Sequence, residues 1–312
     1  MKSIATLTMN PTIDVSYDVA EMRHTHKMRT DNEWYAPGGG GLNVARVFVR
    51  LGGNARSFYL SGGATGPALD GLVDLHQLVR TRIAITGPTR VASAVLERQS
   101  GKEYRFTPQG PRIAPEEWNE CLDRLEETNA DIAVLSGSLP PGVPDDFYAQ
   151  AARRLRGKGI EVVLDSSGPA LSHGIAEGDL LLVKPSSGEL ESYLGTPLRG
   201  HDAIAQAARG IVAEGKARLV AVTLGHEGAI LARSDGAWFL PALPIEAASA
   251  VGAGDSFVAA MVYALAQGED DLAAFRTGLA AGTAAVLRAG TGLAQAHDIA
   301  RLLRQVPDPE PL

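Results

Sequence analysis

IAVLSGSLPPG (Ile132–Gly142), EVVLDSSGP (Glu161–Pro169) and LLLVKPSSGE (Leu180–Glu189) are short apolar runs, each ending in a turn built of serine, glycine and proline. Helical patterns lie near Asp145–Arg156 and Ala203–Ala213, and another apolar run follows at Leu219–Leu224. Strands alternating with helices indicate an α/β fold with a mainly parallel sheet and crossover helices. Sheets of that kind bind ligands at the carboxyl ends of their strands. Asp14, Ser138, Asp165 and Lys184 each sit just past an apolar run, so the pattern predicts that they gather on one edge. Two segments break the alternation, at about 15–35 and 88–108. In the second, Val91, Ser93, Val95 and Glu97 alternate against Ala92, Ala94 and Leu96, which reads as a strand with Arg90 and Arg105 at its two ends. Both segments are expected to form a small β appendage on a single domain spanning 1–312.

VGAGDSF (Val251–Phe257) places small residues and a carboxylate where an apolar helix begins, because Phe257, Val258, Met261, Val262 and Leu265 recur at helical spacing. A helix N-terminus offers unpaired N–H groups and the positive end of a dipole, and glycine lets an anion come close. Asp255 would repel that anion. The conflict disappears if Asp255 takes a proton from an attacking hydroxyl while Gly252, Ala253 and Gly254 hold the charge leaving on a nucleotide. As an isolated motif it reads more simply as a softened turn with an ordinary N-terminal helix acid.

PGGGGLNVAR (Pro37–Arg46) opens a second apolar helix, which Gly52 and Gly53 end. Four consecutive glycines cost conformational entropy, so a structural role for all of them is hard to defend. They would instead let the backbone press on a small polar ligand, with Asn43 supplying an amide donor and acceptor. The spacing is not that of a dinucleotide fingerprint, and no glycine run is followed by Lys and then Ser or Thr, which excludes a P-loop.

With 312 residues and 45% apolar content the chain can bury a large core. A net charge of −7 argues against a nucleic-acid partner. One cysteine, Cys121, excludes an internal disulfide framework and a multi-cysteine metal site, and its neighbours Trp118, Leu122 and Leu125 suggest a buried helix face. Ile4–Met9 is a short strand, and Leu279–Leu287 is too short to span a membrane and is interrupted by Gly282. A cytoplasmic enzyme with no membrane partner is expected, with residues 306–312, bearing Pro307, Pro309 and Pro311, as a disordered tail.

PGGGGLNVARVFVRLGG and VGAGDSFVAAM together resemble the paired signatures of the PfkB (ribokinase-like) sugar kinases. The similarity runs from Thr6 to about Gly292. Within that family TMNPTID, GGATG, YRF, SGSLPPG and DSSG most resemble the minor, PfkB-type 6-phosphofructokinases. The resemblance implies a three-layer α/β/α domain with a four-stranded β lid, often paired with the lid of a second subunit as a homodimer. It implies sugar contacts from Asp14, Gly38, Gly39, Asn43 and Ser138, and a grip on the sugar phosphate from Lys27, Arg90 and Arg105. On the nucleotide side it implies Lys184, Ser186, Thr223, Gly225, Gly228, Leu279 and Thr283. Mg²⁺ would arrive with ATP and be held through water by Glu189. A monovalent cation such as K⁺ would use backbone near Ser249, Val251, Ala285 and Gly290.

The implied reaction is transfer of the γ-phosphoryl group of ATP to the C1 hydroxyl of fructose 6-phosphate, with Asp255 as base. Tagatose-6-phosphate kinase and 1-phosphofructokinase share nearly all of these motifs and stay open as alternatives, with a non-catalytic sugar-phosphate sensor further off. Besides Arg288 and Gly292, which differ from the phosphofructokinase pattern and bear on potassium activation, the chain departs from the family pattern in two places. Ser186-Ser187-Gly188-Glu189 has serine where relatives have asparagine, and Ala250 replaces a hydroxyl residue. Both departures bear on how phosphate and magnesium are held.

Overall fold

The computed structural model describes residues 1–246, 249–288 and 290–312. In chain order the first half runs β1 (Ile4–Thr8), β2 (Thr12–Val19), β3 (Asp31–Gly38), α1 (Gly40–Arg50), β4 (Ala55–Gly62), α2 (Gly66–Leu75), β5 (Val79–Ile85), β6 (Arg90–Glu97), β7 (Lys102–Phe106), α3 (Pro115–Glu126), β8 (Ile132–Ser136) and α4 (Phe147–Arg156). There follow β9 (Glu161–Asp165), α5 (Gly168–Glu177), β10 (Leu180–Val183), α6 (Ser187–Leu194), α7 (Gly200–Ala213), β11 (Ala217–Thr223), β12 (Gly228–Arg233), β13 (Gly236–Pro241), α8 (Ala253–Gln267), α9 (Asp271–Val286), α10 (Ala296–Leu303) and β14 (Glu310–Pro311).

A ten-stranded sheet has the order β14-β13-β12-β11-β10-β9-β8-β1-β4-β5. It is parallel from β5 to β11 and antiparallel from β11 to β14. Strand alternation builds the layers. In β8, Ile132 and Val134 face a core with α1, α8 and α9, while Ala133 and Leu135 face one with α3, α4 and α7. Burying both faces explains why these strands read as continuous apolar runs. Cys121 lies fully buried in the second core, beside Leu122 and Leu125. No helix among the described residues is long and apolar enough to cross a membrane.

The two segments that break the alternation form a separate four-stranded sheet, ordered β3-β2-β6-β7. The stretch 91–106 is a hairpin and not one strand. Gly101 adopts φ 70° at its turn, and Arg105 returns to pair with Ala94. Arg90 and Arg105 therefore do not mark opposite ends of one strand.

The segment expected to be disordered is also built in. Glu310 pairs with Phe239, Leu312 N–H donates to Ala237 C=O (2.9 Å), and Arg276 holds Val306 C=O (2.6 Å) and Asp308 (3.1 Å). Prolines at every second position leave the intervening N–H groups free to face β13, a spacing that an edge strand tolerates.

Candidate active site

Asp255 lies in the first turn of α8, and Gly252 caps that helix in the left-handed region (φ 69°). The Ser256 N–H donates to Gly252 C=O (2.9 Å), so the N–H groups of Ala253, Gly254 and Asp255 precede the helical ladder. Lys184, directly after β10, and Asp165, the last residue of β9, form a buried ion pair of 3.0 Å. A Cβ at Gly254 would stand 3.4 Å from Lys184 Nζ, which puts the ammonium beside the free end of α8. Asn43, in α1, donates from Nδ2 to Asp255 Oδ2 at 2.9 Å.

Three carboxyls crowd this cleft. Burial pushes Asp255 up to about 7; Asp165 and Asp14 push the same way, while the Asn43 hydrogen bond and Lys184 oppose them. Burial pushes Asp14 up to about 6, against the pull of Arg46 and Arg90. Asp165 is raised by burial as well, with Lys184 opposing. Burial draws Lys184 down, but Asp165, Glu189 and Asp255 together outweigh it and hold the lysine above its usual range. A carboxyl poised near neutrality in the first turn of a helix with free N–H groups is equipped to accept a proton.

Asp14 was expected just past a strand end but lies inside β2, opposite Ala36 and Ala92. A Cβ at Gly38 would fall 2.0 Å from Asp14 Oδ2, so the glycine makes room for this carboxylate. All four glycines prove to be packed. Added Cβ atoms would meet Thr8 Cγ2 at Gly39 (2.6 Å), Ser136 Oγ at Gly40 (2.1 Å) and Leu7 C=O at Gly41 (2.4 Å). The run is thus a steric requirement at every position, contrary to the expectation from sequence.

Arg90 opens β6 and donates from Nη2 to Asn10 C=O (2.7 Å) and from Nη1 to Pro108 C=O (2.9 Å). Arg105 pairs with Glu103 (2.6 Å) and reaches Ser249 Oγ at 3.4 Å. Ser138 Oγ accepts from Asn10 Nδ2 at 3.4 Å. Lys27 is exposed between β2 and β3 and makes no ion pair among the described residues.

Thr223 ends β11, its N–H donating to Pro185 C=O (3.0 Å), and it bridges to Ser186. Gly225 (φ 63°) and Gly228 (φ 127°) shape the turn into β12. Leu279 and Thr283 share a face of α9, and Thr283 Oγ1 donates back to Leu279 C=O (2.9 Å). Ser186 and Glu189 form a reciprocal cap on α6. Glu189 Oε2 accepts Ser186 N–H (2.7 Å), and Ser186 Oγ accepts Glu189 N–H (3.3 Å).

Ser249 N–H donates to Val286 C=O (3.3 Å), and its Oγ accepts Val251 N–H (3.2 Å). Ala285 C=O accepts Arg288 N–H (2.9 Å). A Cβ at Gly290 (φ 60°) would stand 3.1 Å from Ser16 Oγ of β2, so the loop after α9 touches the small sheet. Among the described residues no three His, Cys, Asp or Glu side chains are grouped to hold a metal ion. A groove lined by Asn54, Arg56, Thr81 and Asn129 opens at the other end of the strands of the large sheet, and none of Asp14, Asn43, Lys184 and Asp255 lines it.

Sequence reasoning missed Arg46, Asp165 as a partner for Lys184, and Asn10, whose buried Oδ1 has no partner among the described residues. Asn10 lies two residues past the end of β1, so the strand-end rule that singled out Ser138 could have found it.

A carboxyl raised toward neutrality, the free N-terminus of a helix and a flanking ammonium suit a phosphotransferase that acts on a hydroxyl. Residues 6–298 match the pfkB family carbohydrate kinases, and the chain belongs to that family. It is 38% identical over 308 residues to the ATP-dependent 6-phosphofructokinase isozyme 2 of Mycobacterium tuberculosis H37Rv, covering 98% of this chain and 90% of the relative. The Escherichia coli phosphofructokinase-2 structure in complex with potassium superposes with a TM-score of 0.94 at 36% identity, covering 98% of this chain and 99% of the other. Its complex with fructose-6-phosphate superposes with a TM-score of 0.92 at 35% identity, with the same coverage. A tetrameric inhibited form of that protein also matches, with a TM-score of 0.92 at 35% identity, covering 98% of this chain and 99% of the other. Kinship with these kinases implies ATP together with a divalent metal.

Proposed function

We propose that this protein is an ATP-dependent 6-phosphofructokinase that phosphorylates the C1 hydroxyl of fructose 6-phosphate, giving fructose 1,6-bisphosphate and ADP. The observation that carries this reading is Asp255, raised to about 7 at the free end of α8, with Asn43 on one oxygen and Lys184 nearby. Asp255 accepts the hydroxyl proton as the sugar oxygen attacks the γ-phosphorus. The bond to the bridging oxygen breaks and ADP leaves. The N–H groups of Gly252, Ala253 and Gly254 and the Lys184 ammonium face the charge that develops. Positioning and electrostatics supply most of the catalysis in phosphoryl transfer.

On the sugar side Asp14, Gly38, Gly39, Asn43 and Ser138 receive the hydroxyls, and Arg90, Arg105 and Lys27 receive the phosphate. Arginine suits the latter task because its planar fork grips a phosphate with two hydrogen bonds. Thr223, Gly225, Gly228, Leu279 and Thr283 form the nucleotide floor.

The acidic face of the cleft fits a hydrated Mg²⁺. Glu189 is close enough to act on both Lys184 and Asp165, and only its Oε2 is committed to the α6 cap. Glu189, with Ser186 beside it, would hold the ion through water, and the ion would neutralise phosphate charge. K⁺ would sit on the backbone of Ser249, Val251, Ala285 and Gly290.

The small sheet is a lid over the sugar and the contact surface of a homodimer. It leaves Trp34, Tyr35, Val91 and Phe106 exposed. A cytoplasmic setting suits an enzyme that draws on ATP and phosphosugars.

The test is ADP release with Mg-ATP, comparing kcat/KM for fructose 6-phosphate, tagatose 6-phosphate and fructose 1-phosphate. Preference for fructose 6-phosphate is the expected result. Preference for another phosphosugar changes the substrate and keeps the chemistry at Asp255. Failure with all three overturns the reading.

A further inference from the structure

Arg46 is 4% exposed, an uncommon place for a cation, and it is not among the residues assigned to substrate contact. Its Nη1 donates to Pro37 C=O (2.8 Å) and to Asn43 Oδ1 (3.1 Å). The amide of Asn43 is thereby held by its oxygen on one side and donates to Asp255 Oδ2 on the other. Turned over, that amide would point its oxygen at the Asp255 carboxylate and its NH₂ at the guanidinium, losing both hydrogen bonds and setting like charges together. Arg46 Nε is buried without a partner among the described residues, so the cation is retained at an energetic cost.

We propose that Arg46 is a positioning residue for phosphoryl transfer: through Asn43 it commits Asp255 Oδ2 to the amide and leaves Oδ1 to take the proton of the acceptor hydroxyl. Because Pro37 lies in β3, the same guanidinium ties the small sheet to the base. This inference rests on the kinase reading above.

The groups facing Arg46 are Asp14 from β2, Asp255 from α8, Arg50 from its own helix and His76 from the end of α2. Burial pushes Arg46 down to about 10, and burial with the two arginines pushes His76 down to about 4, so neither titrates between pH 5 and 8. Asp255 is faced by Asp165, Lys184 and Asp14, and Asp14 by Arg46 and Arg90. Within that range the carboxyls carry the change.

The decisive measurement pairs pH–rate profiles with a carbon-13 NMR titration of the Asp255 carboxyl in the unliganded protein, for wild type, Arg46→Met, Arg46→Lys, Asn43→Ala and the Arg46→Met/Asn43→Ala double variant. Arg46→Met should lower kcat by about 10–100-fold. It should also raise both the acid limb and the Asp255 midpoint by about one pH unit, as expected for a lost hydrogen bond to a charged group. Arg46→Lys, which cannot reach both carbonyl oxygens, should move them the same way by less and remains available if the Met variant does not fold. In the Asn43→Ala background the added Arg46→Met change should shift the Asp255 midpoint little. An unmoved midpoint in Arg46→Met and Arg46→Lys, or a full shift that persists without Asn43, overturns the proposal. The titration needs no turnover, so it decides the role of Arg46 even if the phosphosugar assay fails.

Discussion

Asp255 is asked for opposite things by stability and by catalysis. Its ordinary carboxyl value of 3.8 describes the unfolded chain, and burial among Asp165 and Asp14 pushes it to about 7 in the fold. A folded value above the unfolded one means that its contribution to stability is fully present below about pH 4. That contribution is lost as pH rises through about 7. Proton acceptance needs the ionised form, so activity grows over the same interval in which stability declines. Asp255→Asn should therefore show a higher Tm than wild type at pH 8 and nearly the same Tm at pH 4, by calorimetry at both values. Its kcat should fall by at least ~10²-fold, with ATP affinity nearly intact. A variant retaining a tenth of the activity would remove Asp255 as the base. The carboxylate and its glycine run are legible in the sequence because one helix end contains them all. Asn43, which fixes the orientation of Asp255, lies 212 positions away, and Arg46 reveals itself only as the third member of that contact.

At the scale of elements, α1 is placed by contacts that its own sequence does not announce. Its N-terminus has no side-chain cap of its own; Leu42 N–H donates instead to Thr8 Oγ1 (2.8 Å) of β1. Gly41 sits against the same strand, where a Cβ would come 2.4 Å from Leu7 C=O and 2.6 Å from Thr8 Oγ1. Backbone cannot yield there as a flexible side chain would. Gly41→Ala should lower stability by ~1–3 kcal/mol, the usual range for overpacking. Gly210→Ala, within α7 and with nothing within 4 Å of the added methyl, should raise it by up to ~1 kcal/mol. Urea unfolding of the two variants checks the contrast, and a stabilised Gly41→Ala would show that α1 does not press on β1. The sequence shows where α1 begins and ends, through periodicity and the glycines that follow it. It could not show why four glycines precede it, because Asp14, Thr8, Ser136 and Leu7 approach from three different strands. The hairpin of β6 and β7 was hidden in a similar way. Period-two alternation reports a strand's faces but not where the chain reverses, and Gly101 was the one local sign of the turn.

Over the whole molecule, the large sheet buries both of its faces while the small sheet does not. Its edge strands are β3 and β7, and Trp34 (59% exposed) and Phe106 (54%) lie on those two edges. Aromatic side chains of this size are the usual anchors of protein interfaces, and unpaired strand edges invite a second chain. The same sheet carries Asp14, Arg90 and Arg105, and it meets the segments before α8 and after α9 through Arg105–Ser249 and Ser16–Gly290. Covering it with a second copy would therefore hold the residues proposed to bind the sugar in place as well as hide apolar surface. Trp34→Glu should shift the protein toward monomer in light-scattering chromatography and reduce kcat/KM for the phosphosugar by ~10-fold or more, about 1.4 kcal/mol of lost transition-state stabilisation. The KM for ATP should change far less, because Thr223, Leu279 and Thr283 belong to the large sheet and its helices. A variant that stays oligomeric with unchanged kinetics would show that the small sheet is not the contact surface. A monomer with full activity would separate assembly from sugar binding, and would leave closure of the lid to contacts within one chain.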